Sequence, residues 1–236
     1  IYQVNIDGKI TGERPDEAIT VQIVFALLSW LGVAAGALWV MVLYGFVNKA
    51  RWAWFWGTVA ATIQILAGFF PIIPPSSIGL PAPTMWVFLI GFVLWFGMLL
   101  IRGVDWKILA LAFVSGLAYV LTFIDGVGAI SRYQTEAKGF ISSMYMMSQM
   151  VNWWGAAAWA VFIFALVKGK SWTLPMGIFA SAMSMFGGFP VGITDVTIQG
   201  RFSMFLVAPA LITGLVICLL LPGRGRLLAA WNARQG

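Results

Sequence analysis

The stretch QIVFALLSWLGVAAGALWVMVLYGFV, residues 22–47, contains no Asp, Glu, Lys or Arg. As a helix rising 1.5 Å per residue it outruns the ~30 Å hydrocarbon layer of a bilayer. Six more apolar segments follow, at 52–73, 84–101, 107–124, 141–167, 171–193 and 202–222, and none has an acid or base in its interior. The chain is 61% hydrophobic and 9% charged, against about 25% charged in soluble domains. These segments predict an all-α integral membrane protein with seven transmembrane helices. An N-terminal segment (1–21) leads into a bundle (22–222), and a tail (223–236) follows. The expected location is a prokaryotic plasma membrane, crossed many times. The chain starts at Ile1 rather than Met, as it would after removal of a leader.

The short connections orient the bundle. Lys49, Arg51, Arg102, Lys107, Lys168, Lys170, Arg224, Arg226 and Arg234 share one side with a single acid, Asp105. The other side holds Lys9, Arg14, Arg132, Lys138 and Arg201 with seven acids, Asp7, Glu13, Asp16, Glu17, Asp125, Glu136 and Asp195. Bases near membrane segments stay in the cytoplasm, which predicts a cytoplasmic C-terminus and an N-terminus outside. A dispersed positive charge of this kind orients a membrane protein, and gives no reason to expect nucleic acid. Trp52, Trp54, Trp56, Trp86, Trp106, Trp153, Trp154 and Trp172 read as an interfacial belt. The prolines at 71, 74, 75, 81 and 83 predict a stiff, non-helical outer cover.

The first three segments resemble the last three. Lys49-Ala50-Arg51 matches Lys168-Gly169-Lys170 at an offset of 119, as Gly68-Phe69-Phe70-Pro71 matches Gly187-Gly188-Phe189-Pro190. An offset of four spans between corresponding helices would keep the copies parallel, with the fourth as a linker: a 3+1+3 repeat. Paired proline interruptions in such repeats point to binding sites in transporters, which singles out Pro71 and Pro190. Pro175 and Pro209 are read as further kinks. The layout resembles that of the SWEET sugar transporters and of the microbial rhodopsins. Rhodopsin chemistry needs a lysine in the last helix, and 202–222 has none.

The chain has no histidine and one cysteine, Cys218. That excludes histidine-ligated haem, copper or zinc and any histidine-supported nucleophile from this chain alone. No phosphate-binding glycine motif is present. The reading leans away from an enzyme, and no cofactor of its own is expected beyond bound lipid. Three constellations remain. Gln64, Gln149 and Asn152 are amides in lipid, which seek partners across helices; with Pro71 and Pro190 they are the candidate substrate-binding set. Met144, Met146, Met147, Met150, Met183, Met185 and Met204 gather thioethers towards the outer half, where packing is the plain reading and Cu(I) the sharper one. Asp125, Arg132, Glu136, Asp195 and Arg201 read as outer-loop charges, solvated or docking a partner.

Two functional readings follow. In the first, the chain is a non-catalytic subunit of a larger, energy-transducing membrane complex, holding lipid or quinone against neighbouring subunits. The second is a facilitative transporter of an uncharged solute, without proton coupling because no ionisable relay lies in the spans. Copper handling is a third, weaker alternative.

Overall fold

The computed structural model describes residues 2–11, 17–72, 75, 81–135, 139–200 and 202–235. Among them all regular structure is helical. The helices are α1 (Tyr2–Thr11), α2 (Glu17–Val47), α3 (Trp52–Phe69), α4 (Met85–Ile101), α5 (Trp106–Thr135), α6 (Phe140–Val167), α7 (Thr173–Gln199), α8 (Val207–Leu220) and α9 (Arg224–Gln235). Five stretches are long and apolar enough to cross a membrane: Val21–Val47, Trp52–Ile72, Trp106–Gln134, Phe140–Val167 and Thr173–Ile198. Counting α8 with α9 across their 75° bend makes six. The third and seventh expected spans are shorter helices, α4 with 17 residues and α8 with 14. At 1.5 Å per residue they reach only about 25 and 21 Å. α8 is short because the Ser203 hydroxyl accepts from the Phe205 N–H at 3.3 Å and starts a 3-10 turn at 204–206 first.

The chain divides into two compact units, Ile1–Val104 and Asp105–Gly236. In the first, α3 packs between α2 and α4. Gln64 is its polar clasp: it accepts from Trp39 Nε1 at 2.6 Å and donates to the Val87 carbonyl at 2.9 Å, tying all three helices. Gly68 lets α3 lie directly on the Phe88 backbone. The expected N-terminal segment is partly helical, with Ile6 of α1 packed against Ala18 and Phe25 of α2.

In the second unit α6 is central, packed against α5 on one side and α7 on the other, while α8 touches both α5 and α7. The fourth apolar segment is therefore part of a four-helix packing unit, where a linker was expected. α9 folds back on this unit: the Trp231 indole donates to the Leu166 carbonyl at 2.7 Å and Asn232 to the Lys170 carbonyl at 3.2 Å.

Three connections share one design. After α2, Lys49 N–H bonds Phe46 O and Ala50 N–H bonds Gly45 O; after α6, Gly169 and Lys170 do the same with Leu166 and Ala165; after α4, Gly103 and Val104 with Leu100 and Leu99. This is the Schellman helix stop, which puts one residue in the left-handed region: Lys49 at φ 55°, Gly169 at 59° and Gly103 at 76°. Lys49 thus corresponds to Gly169, an offset of 120, one more than the sequence match implies. The same stop after α4 shows that this likeness belongs to helix endings in general. The proline match also parts: Pro71 sits in a 3-10 turn closing α3, whereas Pro190 lies inside a continuous α7. Pro175 and Pro209 stand in the first turns of α7 and α8, where a missing N–H costs no hydrogen bond, so neither needs a kink.

Candidate functional site

α5 and α7 continue as helices through residues read as outer loop, and this changes the charges on them. Asp125, Ala129 and Arg132 recur at i, i+4 and i+7 of α5, one face of a helix. Asp125 is 6% exposed and Asp195, in α7, 5%. Arg132 Nε stands 3.4 Å from Asp195 Oδ1, with both side chains largely buried. The expectation of solvated loop charge is therefore overturned for these three residues, and so is the expectation that the spans hold no ionisable group. Solvent did not claim them because the helices continue: Ala129, Val191, Tyr145 and Phe205 form an apolar layer between them. That layer rewards helical continuation by burying apolar area. Glu136 and Arg201, the other members of that set, lie outside the described residues, as does most of the proline-rich cover at 73–80.

Asp125 lies level with the middle of α6. Gly126, its neighbour, is pressed against the Trp153 ring and the Gln149 carbonyl, so Asp125 lies within about one turn of residues 149–153 along the bundle. Asn152 is wholly buried there. Its Nδ2 donates to Ser148 Oγ at 3.2 Å, and Ser148 Oγ donates to the Gly187 carbonyl of α7 at 2.6 Å. Asp125 Oδ2 and Asn152 Oδ1, both buried, have no hydrogen-bond donor among the described residues. One step deeper the polar groups are satisfied: Thr122 and the Trp159 indole both donate to Ser184 Oγ, at 3.1 and 3.0 Å, and Ser184 donates to the Ala180 carbonyl at 3.0 Å. The unit thus carries a complete polar tier, then a tier with two unfilled acceptors, then the Arg132–Asp195 pair. Asp125 is about 28 Å along α5 from Trp106, within the candidate span Trp106–Gln134.

The substrate-binding candidates separate. Asn152 belongs to this tier, and Gln149 is half-buried beside it. Gln64 is committed to holding the first unit together, Pro71 is buried in its 3-10 turn, and Pro190 is exposed on α7. Of the methionines, Met146, Met147, Met150 and Met204 are exposed, Met183 and Met185 half-buried. Met144 accepts a hydrogen bond from Thr194 at 3.4 Å. The seven thioethers are not gathered round one interior point. No group of three or more His, Cys, Asp or Glu that could hold a metal occurs among the described residues.

Trp153 departs from the interfacial belt: it stacks on Phe123 at 6.0 Å in the middle of α6. The tryptophans that do most for the fold, Trp39, Trp159 and Trp231, were not singled out in the sequence. Each donates its indole N–H to a partner 25 to 65 residues away, and pairing at that range leaves no local pattern.

Two acceptors without donors suit a proton, an ammonium group or a hard cation, which prefers carboxylate and amide oxygen. No family model, no curated protein and no solved structure matches this chain.

Proposed function

We propose that the chain is a multi-pass membrane carrier whose second unit moves a small solute together with a proton or cation at Asp125. The observation that carries the reading is the buried Asp125 carboxylate with its unfilled oxygen, in the same unit as the buried, unfilled Asn152 oxygen. Carboxylates inside membrane helices are expensive and mark ion or proton paths. This amends the facilitative reading, which rested on the absence of such a group. The proposal keeps seven membrane crossings, with α4 and α8 as the short ones, and the basic connections in the cytoplasm.

The test is proton uptake by proteoliposomes under an imposed potential, followed with an entrapped pH dye. Wild-type vesicles should acidify or alkalinise well above protein-free ones. Asp125→Asn should bring the rate to background, and Asn152→Leu should lower it by an order of magnitude. Equal rates for Asp125→Asn and wild type sink the proposal.

A second reading, a non-catalytic subunit of a larger membrane complex, draws on α2. Only 12% of its apolar window is buried in the chain, and Trp30, Val33, Val40 and Tyr44 all face outward. Purification under mild detergent distinguishes the two, since a subunit brings stoichiometric partners with it.

A further inference from the structure

We propose that the end of the first unit formed by residues 46–54 and Arg102 is a binding site for the headgroup of an anionic phospholipid. A cleft of about 640 Å³ opens there, lined by Phe46, Lys49, Ala50, Arg51, Trp54 and Arg102. The size is within the ~300–1,000 Å³ common for ligand sites. Three of its six lining residues are cations, and it has no acid. Among the described residues none of the three has a carboxylate within ion-pair distance.

Each cation is placed by the backbone. Lys49 occupies the left-handed position of the helix stop after α2, where glycine stands in the two sister connections. A non-glycine residue there is strained, and the fold keeps that strain together with the ammonium it presents. Arg51 immediately precedes α3, and Arg102 caps the end of α4. The first turn of α3 adds the positive end of an 18-residue helix, which favours anions. Phe46 and Trp54 meet edge to face at 5.1 Å and form the apolar wall.

The choice of a lipid over a soluble anion rests on the wall and the depth. The cleft joins the ends of three apolar helices, where headgroups lie, and pairs its charges with aromatic surface that an acyl chain or glycerol can cover. Basic pockets between membrane helices recognise headgroups in this way.

The test uses the full chain in zwitterionic detergent, titrated with phosphatidylglycerol or with phosphatidylcholine of the same chains, and read by native mass spectrometry. Phosphatidylglycerol should bind wild type at one saturable site and phosphatidylcholine should not. The triple variant Lys49→Gln, Arg51→Gln, Arg102→Gln should lose about 100-fold in that affinity, roughly five-fold per base. A control removing three bases elsewhere, Lys168→Gln, Lys170→Gln, Arg226→Gln, should lose less than three-fold. Equal losses in both variants, or no preference in wild type, overturn the proposal. Displacement of the lipid by millimolar inorganic phosphate also overturns it, in favour of a soluble anion.

Discussion

Asp195 shows what a single buried charge asks of its surroundings. Its carboxylate faces Arg132 at 3.4 Å, with the two side chains 6% and 11% exposed. Removing one member takes the facing charge away from a buried ion pair, which costs about 3–5 kcal/mol. Asp195→Ala and Arg132→Ala should each destabilise the chain by that amount in detergent unfolding. The double variant Arg132→Leu, Asp195→Leu should recover most of the loss, since well-packed apolar residues replace such a pair at little cost. If the single variants unfold like wild type, the pair carries no structural weight. Glycine at the helix stops is a second residue-scale case. Gly103 and Gly169 hold φ of 76° and 59°, so Gly103→Ala and Gly169→Ala should each cost about 1 kcal/mol by the same unfolding measurement.

At the scale of elements, the seam between α6 and α7 depends on Gly187. A Cβ there would run into the Asn152 side chain, so Gly187→Ala should cost about 1–3 kcal/mol through overpacking. Gly36→Ala on α2 and Gly214→Ala on α8, where a Cβ meets open space, should be within about 0.5 kcal/mol of wild type. Thermal unfolding of the three variants side by side checks this. Each apolar segment falls on a helix, and five of those helices, or six with the bent α8–α9 pair, are long and apolar enough to cross a membrane. Their ends were less legible. α5 runs eleven residues past the expected stop at 124, and α7 six past 193, because polar residues there are buried against a neighbouring helix. The charges that make the candidate site were for this reason read as loop. A buried ion pair and a solvated one look alike until the partner helix is placed. Asn152 was legible, since an amide in lipid draws notice wherever it stands. Its vacant oxygen was not, because that depends on Gly187 of another helix.

At the scale of the whole chain, the separation at Val104 and Asp105 makes a further prediction. Helices of membrane proteins insert first and associate afterwards, and each unit has its own internal packing. Residues 1–104 and 105–236 expressed as separate fragments in one cell should therefore both accumulate in the membrane fraction. Rapid degradation of both would show that neither packs without a covalent link. The Arg132–Asp195 pair, finally, has a consequence for biosynthesis. Asp195 leaves the ribosome 63 residues after Arg132, a wait of roughly 3–13 s at ~5–20 residues per second. Through that interval α5 is without the Asp195 carboxylate that faces its guanidinium in the fold. A nascent chain halted before α7 therefore lacks this ion pair, although α5 is already made.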